Sequence, residues 1–394
     1  MRRHRVSAAR RRWLKKALLV VAVAAGAVLV LFLASTFIHL QVPDATGPLA
    51  VGKMQLDWAD ASRSEWMTAT PADHREVIAI IWYPAEPGTG ERPEYVLSLG
   101  KLRPQLVASN KLSKADAWGL RFVRDHARWG ADAGRQGGPY PVVVLSPGNG
   151  GNAEFYASYA EDLASHGYIV VGLDHPYDVA AVALADGTFA VFDSAQWPAT
   201  GSARTEFFGR RMDERAGDVS FALDRLEQLN TQPGKLNGVL DLEHVGIMGH
   251  SMGGITAAAA CRQDLRLKAC LNIDGSLAGG PLSARAGDAR PSQPFMYLTK
   301  DQTVAEPAAS LFTAPGGAWF RVVVPGATHS EFTDGPLFIP SLNPFSHTAD
   351  RVMATARIYT LAFFDRYLKG LPEPAFRDLK APIRVLVEEG ADGT

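Results

Sequence analysis

Ser251 sits at the centre of Gly249-His250-Ser251-Met252-Gly253, the stretch in which this chain most clearly has the means to do chemistry. A serine hydroxyl attacks a carbonyl efficiently only when a neighbouring base takes its proton. The residues around Ser251 indicate how it is presented. Residues 245–248 are apolar or small, as in a buried strand, and small residues at helix-compatible spacing follow as far as Ala260. Gly-x-Ser-x-Gly between a strand and a helix makes a turn so sharp that the flanking positions tolerate little more than hydrogen. The serine oxygen then stands clear at the end of a sheet, and the helix N-terminus favours negative charge developing beside it.

Such a serine needs a base, and the base needs an orienting acid, in the chain order serine, acid, histidine. Of the ten histidines only His329 and His347 follow Ser251. His329 lies in "VVVPGATHSEF", just past an apolar run that reads as a strand, and is the candidate base. His347, in "NPFSHTAD", stands near a helix start and reads as a surface or capping residue. Four aspartates lie between serine and base: Asp264, Asp274, Asp288 and Asp301. Only Asp274 and Asp301 end predicted strands, and spacing alone leaves both open. An oxyanion hole needs two aimed backbone N–H groups. Met252, after the nucleophile, offers one, and Asn149 in "LSPGNGGN" offers the other. Gly148, Gly150 and Gly151 do not make a phosphate loop, because no Gly-Lys-Ser/Thr follows. The sequence calls for no cofactor and no metal.

These residues need a frame. "YPVVVLS" (140–146), "YIVVGLD" (168–174), "HVGIM" (244–248), "LKACLNID" (267–274), "PFMYLT" (294–299) and "FRVVVPG" (320–326) read as buried strands. They are preceded by "MQLDWAD" and "EVIAIIWYP". Between or after them come the helical patterns 153–167, 218–230, 252–260 and 350–370, with further helical tendency in 95–129. Residues 178–212 read as irregular. Strands alternating with helices predict a mostly parallel sheet covered on both faces. With the serine turn, this is an α/β-hydrolase fold. The length of 394 residues suits one such domain with decorations.

Eight Lys/Arg and no acid occupy residues 1–16, so the rest holds 32 basic against 41 acidic residues. A mildly acidic body argues against nucleic-acid binding. Residues 17–38 carry no charge over 22 positions, enough for a helix to cross a bilayer. The basic flank predicts an uncleaved signal anchor with everything after His39 outside the cytoplasm. "RRRWLKK" also looks like a twin-arginine export signal, so cleavage and release is the alternative. The expected organisation is a basic head (1–16), a transmembrane anchor (17–38), a linker (39–48), a catalytic domain (49–370) and a C-terminal extension (371–394). Cys261 and Cys270 suit either two small buried thiols or a pair formed outside the cytoplasm. No protein partner is indicated.

Several segments together resemble the plasma and intracellular type-II platelet-activating factor acetylhydrolases. They are "GPLAVGKMQLDW…IIWYP", "LSPGNGGNAEFYASYAEDLASHGYIVVGLDHPYD", "RAGDVSFALDRLEQLN", "LEHVGIMGHSMGG", "LRLKACLNIDGSL" and "VVVPGATHSEFTD". The likeness runs from about residue 47 to about residue 370. It implies a metal-free serine hydrolase that removes short or oxidised acyl groups from phospholipid-like esters. It also implies Asp274 as the acid, and the apolar "ACLNI" before Asp274, against the polar "KDQT" around Asp301, points the same way. Two features depart from the family. Met252 stands where the mammalian members usually have phenylalanine, and Gly275-Ser276-Leu277 replaces an aromatic-bearing stretch. The elbow is also similar to that of bacterial polyester-cleaving cutinases, whose acid would fall at Asp301. The remaining alternatives are a general carboxylesterase and a non-catalytic scaffold displayed on a membrane.

Overall fold

The computed structural model describes residues 12–13, 15–27, 40–70, 72–92, 94–276, 291–301, 316–339, 348–372 and 374–390. The chain divides into two compact units, Met1–Gln41 and Val42–Thr394. In the first, residues 15–27 are helical, and Leu18, Leu19, Val20, Val21 and Val23 are exposed. Residues 28–38 of the expected anchor lie outside the described residues. Among the described residues, no helix is long and apolar enough to cross a membrane.

The second unit is built on a ten-stranded sheet. In chain order its strands are β1 (Ala50–Ser64), β2 (His74–Ala85), β3 (Arg128–Trp129), β4 (Tyr140–Ser146), β5 (Ile169–Asp174), β8 (Leu240–His250), β9 (Leu267–Ile273), β10 (Phe295–Lys300), β11 (Trp319–Val324) and β12 (Leu386–Gly390). A separate hairpin pairs β6 (Ala181–Ala183) with β7 (Phe189–Val191). The spatial order is 12-11-10-9-8-4-5-2-1-3. Strands β5, β4, β8, β9, β10 and β11 run parallel, whereas β2 and β12 pair antiparallel at either side of that block. Every residue of β4 and β5 is buried, as expected for parallel strands covered on both faces.

The main helices are α1 (Leu99–Ala108), α2 (Ala157–Ser165), α3 (Gly201–Thr231), α4 (Met252–Gln263) and α5 (Ala349–Leu368). Val142, Val144, Val245 and Ile247 point to one face, where they share a core with Val219, Leu223 and Leu226 of α3 and Ala257, Ala258 and Ala260 of α4. Side chains alternate across a strand, so Gly246 faces the other way. There Phe364 and Leu368 of α5 fill the space a Cβ would need.

Three expectations change. Helix α3 begins at Gly201, well before the predicted 218, because its inward positions include Arg211, Arg215 and Asp218. These charged residues are buried and break the apolar period that marks a helix. The expected linker is strapped down over its last part: Val42 N–H donates to Arg124 O, and Thr46 donates to Asp162 through both its N–H and its hydroxyl. The expected C-terminal extension supplies β12, which pairs with β11 from Leu386 to Gly390. Of the two arrangements open to the cysteines, Cys261 of α4 and Cys270 of β9 adopt the disulfide.

Candidate active site

Strand β8 delivers Ser251 at its C-terminal end, and α4 begins at the next residue. Ser251 has φ 55° and ψ −119°, a backbone conformation that non-glycine residues rarely adopt. It is tolerated because its surroundings fix it. Ser251 N–H donates to Ile273 O at 2.8 Å, and its carbonyl accepts from Gly254 N–H at 3.0 Å. The two motif glycines are required by close approach. A Cβ on Gly249 would strike the backbone of Gly253, and a Cβ on Gly253 would strike Ser146 O.

His329 follows β11 and opens a short 3₁₀ turn, His329–Phe332. That turn is pinned by Glu331, a buried carboxylate that accepts from Thr328 N–H at 2.7 Å and from the Thr348 hydroxyl at 2.7 Å. The His329 ring bridges two candidate groups. Nε2 lies 3.0 Å from Ser251 Oγ, and Nδ1 lies 2.5 Å from Asp274 Oδ2. The structure thus brings Ser251, His329 and Asp274 together. Asp301 is exposed one residue beyond β10, and Asp274 holds the imidazole position instead. Asp264 pairs with Arg266 at 2.7 Å. Asp288 and His347 lie outside the described residues.

The Asp274 side chain is fully buried at the end of β9. Burial works against its ionisation. Hydrogen bonds from His329 and from Thr299 Oγ1 (2.7 Å), with the positive charge of Lys300 3.6 Å away, more than offset that and hold its pKa below the usual carboxylate range. An ionised Asp274 only accepts, so His329 Nδ1 carries the proton and Nε2 is free to accept from the Ser251 hydroxyl. The ring is therefore poised to take that proton.

The loop 147–151 lies against Ser251. A Cβ on Gly148 would come within 3.3 Å of Ser251 Cβ and 3.1 Å of His250 Nδ1. Three contacts set its course: Arg215 donates to Pro147 O, Gly148 N–H donates to Tyr156 Oη at 2.9 Å, and Gly150 N–H donates to Asp178 O at 2.6 Å. Asn149, one residue after Gly148, is on this loop. Met252 is the first residue of α4, so its N–H has no partner within the helix. Asn149 thus lies on the loop whose Gly148 packs against the serine, and Met252 opens the helix that follows it.

Sequence reasoning missed two positioning groups. His250 Nε2 lies 3.0 Å from His329 O, which can only accept, so Nε2 carries the proton. His250 Nδ1 then accepts from the Tyr156 hydroxyl at 2.9 Å, and that hydroxyl in turn accepts from Gly148 N–H. One chain of hydrogen bonds thus ties the loop of Asn149 to the backbone of His329. Burial, reinforced by the nearby His329, pushes the His250 pKa down to about 3, which keeps this relay neutral. His250 was visible as a motif position. Tyr156 gave no signal, since its partners lie 94 positions away in the chain and at a loop amide.

Residues 34–344 match the family described as platelet-activating factor acetylhydrolase, isoform II. The chain belongs to that family. A platelet-activating factor acetylhydrolase of Cavia porcellus is 27% identical over 259 residues, covering 61% of this chain and 57% of that protein. A probable 1-alkyl-2-acetylglycerophosphocholine esterase of Arthroderma benhamiae is 26% identical over 210 residues, covering 50% of each. The chain thus spans between half and three-fifths of the length of these relatives. Among solved structures, a ferulic acid esterase from Streptomyces cinnamoneus superposes with a TM-score of 0.70 at 30% identity, covering 88% of this chain and 98% of that one.

Proposed function

We propose that the chain is a serine ester hydrolase that works through an acyl-enzyme. The observation that carries this is the His329 imidazole, within hydrogen-bond reach of both the Ser251 hydroxyl and the buried Asp274 carboxylate. His329 Nε2 takes the Ser251 proton as Oγ attacks the ester carbonyl. The N–H groups of Asn149 and Met252 stabilise the oxyanion, and the imidazolium returns its proton to the departing alcohol. Water repeats the cycle on the acyl-enzyme. Asp274 holds the tautomer and stabilises the imidazolium. The scheme uses only this chain's own groups, without metal or cofactor.

The preferred substrates are short or oxidised acyl esters on phospholipid-like alcohols, as family membership and the relatives' names suggest. The likeness to a ferulic acid esterase favours a second reading, a carboxylesterase acting on aromatic-acid esters, with polyester cleavage as its extension. A panel of esters graded in acyl length, with a feruloyl ester included, tests both against the Ser251→Ala protein. Serine-dependent turnover falling with acyl length supports the first reading, and a feruloyl preference supports the second. Failure on every ester would leave a non-catalytic scaffold.

The catalytic unit works outside the cytoplasm in this reading, tethered by residues 17–38 or released after cleavage. The basic head before an uncharged span supports it, and so does the Cys261–Cys270 disulfide, since such bonds persist in oxidising compartments. Alkaline phosphatase fused after Thr394 should be active. Activity of only a cytoplasmic reporter at that position would contradict the topology.

A further inference from the structure

Lys111 lies on the turn between α1 and the short helix Lys114–Gly119. Its side chain reaches the loop that carries Asn149: a Cβ on Gly150 would come within 2.6 Å of Lys111 Nζ. The ammonium also sits 4.1 Å from the centroid of the Phe192 ring. Among the described residues no carboxylate pairs with it. Burial pulls its pKa below the ordinary lysine value, and no neighbouring anion restores it. The other interior ammonium near this part of the fold is treated differently: Lys53 Nζ has Asp125 at 3.2 Å and Glu154 at 4.0 Å. A half-buried cation with an aromatic face but no anionic partner is costly to keep, and its position gives it a use.

Lys111 lines a cavity of about 130 Å³ together with Leu112, Gly150, Tyr156, Ala180 and Thr333. Gly150 belongs to the candidate oxyanion loop, Tyr156 holds that loop, and Thr333 follows the turn that begins at His329. The cavity thus adjoins the reacting centre, with an apolar wall and a single cation. It has room for a small anionic head on a short stem.

We propose that Lys111 and this cavity form a subsite for an anionic group, carboxylate or phosphate, carried by the ester substrate close to its scissile carbonyl. The inference rests on the ester-hydrolase reading above and narrows it to anionic esters. A bound anion would supply the partner that Lys111 lacks, in a site where partial burial strengthens a charge-assisted hydrogen bond. Phe192 and Leu112 screen the pair from water.

The test uses the full chain and two matched pairs of esters. p-Nitrophenyl hemiglutarate against p-nitrophenyl valerate carries the charge on the acyl side. Acetyl-glycerol phosphate against glycerol monoacetate carries it on the alcohol side. The readout is the anionic-to-neutral ratio of kcat/KM. Lys111→Met should lower that ratio about tenfold or more in at least one pair, mainly through KM, the size of one charge-assisted hydrogen bond. Lys111→Arg should retain the ratio, and Lys111→Glu should lower it further. The affected pair identifies which side of the ester bears the anion. A ratio that Lys111→Met and Lys111→Glu leave unchanged in both pairs overturns the proposal. Calorimetric binding of monomethyl glutarate to the Ser251→Ala protein, with and without Lys111→Met, separates the two layers. If no ester is turned over but this binding depends on Lys111, the hydrolase reading fails and the anion subsite stands. Binding indifferent to Lys111 sinks the subsite.

Discussion

Among the described residues, two aspartate–histidine–serine chains share the same connectivity. In one, Asp274 meets His329 Nδ1 and Ser251 meets Nε2. In the other, Asp218 Oδ2 lies 2.8 Å from His175 Nδ1, and Ser146 Oγ lies 3.0 Å from His175 Nε2. They differ in access and charge. Ser146, His175 and Asp218 are all buried to the last per cent, whereas the His329 side chain is 44% exposed. Ser146 is an ordinary strand end that also accepts from Arg215 at 3.1 Å, whereas Ser251 sits on a strained turn beside a helix N-terminus. Asp218 is engaged by Arg75 at 2.7 Å and Arg63 at 2.9 Å, so its charge is already neutralised. Burial first, then the nearby Arg215 and Arg75, pushes the His175 pKa down to about 4. That imidazole cannot hold a second proton at neutral pH. In the proposed mechanism connectivity alone does not make a nucleophile: Ser251 differs from Ser146 by its strained turn and its partly exposed imidazole partner.

The largest effect expected from breaking this comparison is at the serines. Ser251→Ala should lower esterase turnover by about 10⁴-fold or more. Ser146→Ala should cost about 1–3 kcal/mol of stability, the penalty for unpaired buried groups, while the folded fraction keeps its rate within about tenfold. Steady-state kinetics with urea unfolding measures both. At the acids, Asp274→Asn should reduce kcat by about 10⁴-fold through the wrong tautomer. Asp218→Asn should instead lose about 1–3 kcal/mol of stability, since it weakens buried hydrogen bonds to Arg75 and His175 while Arg75 keeps Glu65 and Arg63 keeps Asp60. Asp301→Asn should leave turnover within about twofold, in keeping with an exposed carboxylate outside the relay. Reversed penalties at Asp274 and Asp301 would move the acid to Asp301 and put the polyesterase reading ahead.

The histidines separate by pH. His175 has a folded pKa of about 4, below its ordinary value, so the unfolded chain binds the extra proton first. Its contribution to stability is full above about pH 6.5 and is lost as pH falls towards 4, amounting to about 3 kcal/mol. Buried carboxylates act in the opposite sense. Burial pushes Asp334 and Glu154 up to about 7, so their contribution is lost as pH rises. The His175 term is therefore read as a difference: unfolding free energy of wild type minus His175→Asn should fall as pH drops from 6.5 to 4. A flat difference would mean that His175 already carries a proton in the fold. An effect on turnover well below those at Ser251 and Asp274 should come from Tyr156→Phe, which removes the hydroxyl linking His250 to the loop of Asn149. A fall in kcat of about tenfold, with KM little changed, is expected for loosened oxyanion geometry. An unchanged kcat and KM would make Tyr156 a packing residue.

Much of this was legible in the sequence where periodicity or a motif carried it. The strand of residues 140–146 matches its prediction at both ends, because an apolar run bounded by Pro and Gly has one plausible use. The elbow was legible because its glycines are enforced by contacts of the turn itself with its neighbouring strand. Choosing Asp274 over Asp301 needed a family resemblance, since both end strands and only three-dimensional placement shows which faces the imidazole. The buried cluster around Asp218 was not legible. Arg211, Arg215 and Asp218 look like the polar face of a helix until partners from distant segments, such as Arg75 and His175, are seen to neutralise them. Tyr156 and Lys111 were hidden for the same reason, because their meaning lies in a loop and a cavity assembled from separate parts of the chain.

One measurement bears most directly on the central claim that only one of the two serine relays is a nucleophile. Intact protein is treated with a fluorophosphonate, and the modified peptide is mapped by mass spectrometry. A single adduct on Ser251 is expected, absent in Ser251→Ala and formed far more slowly in Asp274→Asn, with Ser146 unmodified throughout. An adduct on Ser146, or labelling of Ser251 at an undiminished rate in Asp274→Asn, would contradict the account.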